Sequence, residues 1–240
     1  AKSSGGVLVG TCLTRETLEP FAHSCFEFAL GEGLPLYLSA RGSGAHDSLF
    51  IDVFHHVYQA TYKRAFDERG LWYQHRPVEE LVVHALRSSG GFVWAAKSSD
   101  GDVLTSLVAQ GYGSPGLMTS VLLSPDGDGG TLVAEAAHGT VTRHYRAHQR
   151  GEKTSVNPLA CIFAWTRGLG HRARLDGNER LALFSRALEE ACLTCVENGQ
   201  MSRDLAAAAS RAGAAPADDS WLATEELLSA LANELRLELS

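Results

Sequence analysis

The sequence predicts an α/β fold. Short β-prone runs alternate with helical segments along the whole chain. Residues 51–69 repeat apolar side chains at helical spacing (Val53, Phe54, Val57, Tyr58, Tyr62, Phe66), and two β-prone runs at 120–123 and 131–136 flank a turn-rich stretch, as in a hairpin. Taken in order, residues 7–13 read as a strand after Gly5-Gly6. Thr14 caps a helix that carries Phe21, Phe26 and Phe28 and ends at Gly31. A strand at 34–39 leads through a small-residue loop at 42–46 into the helix 51–69. A strand at 71–75, a helix at 78–87 and an apolar strand at 92–96 follow. A turn at Asp100-Gly101 precedes 102–110. Beyond the hairpin and its turn at 125–130, Asn157-Pro158 has the cap and first-position signature of a helix that stops near Gly168 and Gly170. Asn178 caps another that stops at Gly199. Helices at 202–211 and 224–239 complete the chain, and 213–219 is its one linker-like stretch.

At 240 residues and 45% apolar content the chain can bury a substantial core in one or two domains. A net charge of −7 gives no broad basic face for nucleic acid or anionic lipid. No apolar run approaches the roughly 20 residues of a membrane helix. Five scattered cysteines, an odd number, predict free thiols in a reducing compartment such as cytosol or mitochondrial matrix. Cys192 and Cys195 form a C-x-x-C inside a helical pattern with no second ligand pair nearby, which favours buried helix thiols over a zinc or redox site. The first residue is Ala1 rather than Met, so further sequence is expected before it.

Gly111-Tyr-Gly113-Ser-Pro-Gly116 has the G-x-G-x-x-G spelling of a Rossmann phosphate loop. Such a loop must leave a strand and open a helix, with an acidic residue about 20 positions on. Pro115 makes that helix entry awkward, and Asp126 and Asp128 lie in turn chemistry. These glycines instead let chain segments pass closely.

Several strings together point further. They are Phe21-Ala-His-Ser, Pro35-Leu-Tyr-Leu-Ser, Gly90-Gly-Phe, Val108-Ala-Gln-Gly-Tyr-Gly-Ser, Met118-Thr-Ser-Val, Ala134-Glu-Ala-Ala-His-Gly-Thr-Val-Thr-Arg-His-Tyr, Asn157-Pro and Phe163-Ala-Trp-Thr-Arg-Gly-Leu. On these the chain resembles the eukaryotic NADP-dependent isocitrate dehydrogenases, almost without gaps from Gly5 to Ser240, but only the later part of that family's length. The resemblance implies an isocitrate/isopropylmalate dehydrogenase-like α/β fold, not a Rossmann fold, and an incomplete one. Residues 1–14 would be a clasp strand, 15–112 the small domain, and 113–240 the C-terminal half of the large domain.

What the resemblance implies for chemistry is uneven. The family oxidises isocitrate and decarboxylates the product with a divalent cation, Mg²⁺ or Mn²⁺, and an acid/base pair. Asp102 matches a metal-binding aspartate, but the second aspartate, four residues on, is Ser106 here. Glu79 matches a metal carboxylate contributed across the dimer. The catalytic lysine is replaced by Arg41, and arginine is effectively never deprotonated, so it cannot exchange a proton in that role. The tyrosine acid and the residues that hold isocitrate belong to the part of the family's length with no counterpart here. The coenzyme segment is intact. His138, Gly139, Thr140, Val141, Thr142, Arg143 and His144 match the adenosine-phosphate loop, with Arg143 and His144 at the NADP 2′-phosphate. Asn157 matches an adenine-contacting asparagine. Across the dimer, His84 and Arg87 stand at a glutamine and a lysine position, so one cation is retained.

Three readings result. The chain is a pseudoenzyme, serving as a structural or accessory subunit of a larger mitochondrial assembly, with NADP binding as a relic. Or it is the C-terminal part of an active NADP-dependent isocitrate dehydrogenase whose N-terminal half lies elsewhere. Or it is a nucleotide-binding regulatory subunit without turnover. In each, the 7–13 strand and the large-domain face require cover from other protein subunits or a second copy, because unpaired strand edges and bare apolar faces are aggregation liabilities.

Overall fold

The computed structural model describes residues 5–7, 10, 12–41, 45–124, 130–210, 217 and 219–239. The chain divides into two compact units, Ala1–Leu104 and Thr105–Ser240.

In the first unit, helix α1 (Arg15–Glu32) begins at Thr14, whose carbonyl accepts the Leu18 N–H at 3.1 Å, and ends on Gly33 at φ 67°. Glycine takes this left-handed closing position at no steric cost. The helix therefore runs past Gly31, where the sequence reading ended it. Strands β1 (Leu36–Ser39), β2 (Tyr73–Arg76) and β3 (Val93–Ala95) form a wholly parallel sheet in the order β2-β1-β3, with Leu36 opposite both Tyr73 and Val93. Parallel neighbours need long crossovers. These are supplied by α2 (Ala45–Val57), a π turn (Tyr58–Tyr62) and α3 (Lys63–Glu68), and then by α4 (Val78–Arg87). The helix expected at 51–69 is thus real but begins earlier, so Ala45 and His46 are helical rather than loop.

β1 is central and buried at every position, and its apolar face packs with α1 and α2 around Phe26, Phe50, Phe54 and Phe66. Phe26 is fully buried, with the rings of Phe54, Tyr58, Tyr62, Phe66 and Tyr73 all within 5.8 Å of its centroid. The strand expected at 7–13 is not formed at its described positions: Val7, Gly10, Cys12 and Leu13 are irregular. A strand needs a ladder partner, and none lies alongside among the described residues.

Helix α5 (Ser98–Gly111) spans the division between the units and corrects the turn expected at Asp100-Gly101. The Lys97 carbonyl accepts the N–H groups of Asp100 and Gly101, and the Lys97 ammonium bonds Asp47, which is buried. An ion pair with those helical bonds outweighs the roughly 1 kcal/mol helix penalty of one glycine.

After the end of α5, the second unit continues with a 3₁₀ turn (Pro115–Leu117) and then, as the sequence predicts, a hairpin of antiparallel β4 (Thr119–Leu123) and β5 (Leu132–Ala136). The turn expected at 125–130 lies, apart from Gly130, outside the described residues. Helices α6 (Thr142–Gln149), α7 (Leu159–Asp176), α8 (Glu179–Glu197), α9 (Arg203–Ala209) and α10 (Thr224–Glu238) follow. α7 continues through Gly168 and Gly170 to a C-cap at Gly177 (φ 60°), because neither earlier glycine takes the left-handed conformation that would end it. The Asn178 side chain accepts the Leu181 N–H, as a cap should. α9 ends at Ala209 rather than 211, and most of the 213–219 stretch lies outside the described residues. Leu159, Leu205, Leu227 and Leu231 enclose Cys192 and Cys195, both fully buried. Burial pushes the Cys192 thiol up to about 12 and raises that of Cys195. The expectation of buried helix thiols is met. The hairpin leaves Leu122, Leu123 and Val133 half or more exposed.

Candidate functional site

The G-x-G-x-x-G string closes α5 and enters the 3₁₀ turn, so it lacks the strand-to-helix setting of a phosphate loop. Its glycines do permit close approach. Gly113 has φ 121°, and a Cβ there would lie 2.6 Å from the Ala208 Cβ. A Cβ on Gly116 would lie 2.9 Å from Asn157 Nδ2 and 3.3 Å from Asp204 Oδ2.

Gly116 borders a cleft of about 760 Å³ within the second unit. One wall is the loop His138, Gly139, Thr140 and Val141 with Arg143 and His144 of α6; the other is Arg150 to Asn157, with Arg203, Asp204, Ala207 and Trp221. The first wall is open by construction. β5 ends at Ala136, the loop is exposed, and α6 starts at Thr142 behind Val141, whose side chain cannot cap it. The first-turn N–H groups of α6 therefore have no capping side chain, an arrangement that attracts anions. Arg143, second in the helix, makes no ion pair among the described residues, and His144 follows it, half-buried.

The second wall is stitched from behind. Ser155 is buried; its Oγ donates to the Leu222 carbonyl (2.7 Å) and accepts the Arg203 N–H (2.9 Å). Thr224 Oγ1 accepts the Val156 N–H (3.0 Å), and the Thr154 carbonyl accepts the Thr224 N–H (3.0 Å). These bonds hold an extended segment against the starts of α9 and α10. Asn157 ends it, its Oδ1 accepting the Leu159 N–H at 3.0 Å and its Nδ2 donating to Asp204 Oδ2 at 3.1 Å. Asp204 also accepts from Ser114 Oγ (2.6 Å) and Ser202 Oγ (2.5 Å). Burial opposes its charge, but the bonds from Ser114, Ser202, Asn157 and the backbone win, and its pKa falls below the ordinary carboxylate value. Of the remaining charges, Arg150 is neutralised by Glu152 (2.5 Å). Lys153 and Arg203 lie 4.9 and 5.6 Å from the Trp221 ring centre, and Lys153 also meets Glu226 at 3.5 Å. The surplus is positive, which suits a phosphate-bearing ligand.

The sequence reading missed Ser114, Arg150, Lys153, Arg203, Asp204 and Trp221. Only Ser202-Arg-Asp204 carries a local signal, that of a helix start.

The other sequence-derived candidates lie apart from this cleft in the chain. Arg41 is exposed just after β1, following buried Ala40. Glu79 sits in the first turn of α4, where the helix dipole favours a carboxylate, and Arg87 in its last turn, where it favours a cation. His84 packs against the rings of Tyr37 and Phe92, which also touch each other. Asp102 and Ser106 are one turn apart on α5. A hard divalent cation prefers several carboxylate oxygens, and this helix face brings one. No group of three His, Cys, Asp or Glu able to hold a metal occurs among the described residues. Among the described residues, the donors fall short of the carboxylate set that such a cation prefers. No helix among the described residues is long and apolar enough to cross a membrane.

A unit built on a parallel three-stranded sheet, joined in the chain to a unit of one hairpin and helices whose G-x-G-x-x-G string is not a strand-to-helix loop, defines an α/β protein of non-Rossmann type. The family model for isocitrate/isopropylmalate dehydrogenases matches residues 10–226, and the chain belongs to that family. It is 48% identical over 234 residues to the bovine mitochondrial NADP isocitrate dehydrogenase, covering 97% of this chain and 51% of that protein. With the pig enzyme of the same name the identity is 48% over 234 residues, covering 97% and 55%. With the human one it is 53% over 205 residues, covering 85% and 45%. The chain spans about half the length of the curated relatives it matches.

Proposed function

We propose that this chain is the NADP-binding, C-terminal portion of an isocitrate dehydrogenase-type protein of the mitochondrial matrix, and that its own catalytic chemistry is silenced. The observation that carries the binding half of this reading is the cleft itself. His138–Val141, Arg143, His144 and Asn157 line one space; on this reading Arg143 and the open start of α6 take the 2′-phosphate that distinguishes NADP from NAD. The mitochondrial location rests on the names of the relatives, and the matrix within it on the free thiols of a reducing compartment. The silencing rests on Arg41 and Ser106: one removes a titratable amine, the other a metal carboxylate, in a chain otherwise about half identical to working enzymes. Asp102 and Glu79 are what is left of the cation site, and Arg87 of the coenzyme contact from across the dimer. The exposed apolar side chains of the hairpin and Val7, 93% exposed, support cover by a second copy or another subunit. The family resemblance is the basis for assigning residues 1–14 to a clasp strand, 15–112 to the small domain and 113–240 to the C-terminal half of the large domain.

The second reading, part of an active isocitrate dehydrogenase, is favoured by the level of identity to enzymes of that name. One assay separates the two. The purified full-length protein carrying this chain is given isocitrate and NADP with Mg²⁺ or Mn²⁺, and NADPH is followed by absorbance. The first reading expects no turnover above background, with activity recovered in part by joint Arg41→Lys and Ser106→Asp substitution where the isocitrate-holding residues are supplied. Robust turnover by the unmodified protein establishes the second.

A further inference from the structure

Asp204 is held by neutral donors, tied by side-chain bonds to three separate parts of the chain. Ser114, Asn157 and Ser202 all donate to it, at 2.6, 3.1 and 2.5 Å. A carboxylate that only accepts forces each of these partners to be a donor. For the hydroxyls this decides a rotor. For Asn157 it decides which end of the amide is which, and the Leu159 N–H at Oδ1 decides it the same way. Turning the amide over would set its oxygen against the carboxylate and its NH₂ against an N–H, leaving both contacts repulsive. Nδ2 has a second hydrogen, and Asn157, half-buried, lines the cleft. Gly116 keeps the bridge clear, since a Cβ there would crowd both Asn157 Nδ2 and Asp204 Oδ2.

We propose that Asp204 is a positioning residue for the coenzyme: it fixes the Asn157 amide so that the cleft offers the base a hydrogen-bond donor. This rests on the coenzyme reading above. A purine with an unprotonated ring nitrogen on its pairing edge, adenine, accepts that donor. Hypoxanthine carries an N–H at the same place and meets it donor to donor. The cleft therefore selects the base through a residue that need not touch it.

The test uses the full-length protein carrying this chain, titrated with NADP, NAD and the hypoxanthine analogue of NADP. Unmodified protein is expected to prefer NADP to the analogue by about tenfold, the size of one hydrogen bond plus the misfit of the wrong partner. Asp204→Ala should bring that preference within about twofold while leaving the NADP-to-NAD ratio in place. Asp204→Asn, which keeps the shape, should fall between. An unchanged base preference in both variants overturns the proposal while leaving the coenzyme reading standing. Failure of the unmodified protein to bind either dinucleotide sinks the coenzyme reading and the base selection with it. In that case the amide spectrum decides the positioning claim: one Asn157 Nδ2 proton should be shifted and exchange-protected in the unmodified protein and lose both marks in Asp204→Ala. A spectrum of Asn157 unaltered by either substitution refutes positioning outright.

Discussion

Replacing Arg143 by alanine should separate NADP from NAD. Arg143 is exposed at the second position of α6 and is not engaged in an ion pair among the described residues, so its removal should leave the fold intact. What it loses is a two-pronged, charge-assisted bond to a phosphate, worth about 1.5–3 kcal/mol. Solvent and about 0.15 M salt screen an exposed site, so the lower half of that range applies. A loss of about 1.5–2 kcal/mol is about a 10- to 30-fold rise in Kd. The backbone N–H groups at the start of α6 and the His144 ring remain, so binding weakens without vanishing. NAD lacks the 2′-phosphate and should change by less than about twofold. Titration calorimetry at two salt concentrations reads all of this, the NADP loss shrinking as salt rises. Equal losses for the two dinucleotides would refute the placement of the phosphate at Arg143, and so would tight NADP binding untouched by the substitution.

Phe26→Ala removes a fully buried ring with five aromatic neighbours and should destabilise the protein by about 3–5 kcal/mol; a urea midpoint moved by the equivalent of less than about 1 kcal/mol contradicts the packing described. Asp204 has a folded pKa below its unfolded value of 3.8, so its stabilisation is complete well above 3.8 and drains away as pH falls through the folded value. Asp204→Asn should accordingly be less stable at neutral pH, with the gap to the unmodified protein closing in acid; a gap constant from pH 7 to 3 rules this out. Cys192 and Cys195, buried with raised pKa values, should react with a thiol reagent only as fast as the second unit opens, whereas rapid labelling of native protein followed by mass spectrometry would show a looser helix pair.

Much of the architecture is legible because periodicity reports burial. The helix of residues 78–87 and the hairpin could be read closely, since α4 alternates buried Val78, Leu81 and Ala85 with exposed positions and the hairpin is local. The errors fall where tertiary contacts override local chemistry. Asp100-Gly101 spells a turn, and nothing adjacent in sequence announces that Lys97 is engaged with Asp47, fifty positions away. Gly168 and Gly170 spell a helix stop, but α7 continues past them. For the site, family resemblance supplied the loop from His138 to His144 and, of the opposite wall, Asn157 alone; the rest of that wall stayed invisible. Its partners are separated by 47 residues (Asn157 and Asp204) and by 90 (Ser114 and Asp204), and serine, asparagine and aspartate at such distances carry no pattern.

Gly113 contributes nothing that a ligand could feel, yet the shape of the cleft depends on it. Its φ of 121° is a conformation that L side chains rarely adopt, and the atom it lacks would occupy space already held by Ala208. Ala208 is on α9, the same short helix that carries Asp204, so any side chain at position 113 pushes on the element that orients Asn157. On the reading proposed above, a methyl group gained one residue before Ser114 is expected to weaken coenzyme binding with every cleft-lining side chain unchanged.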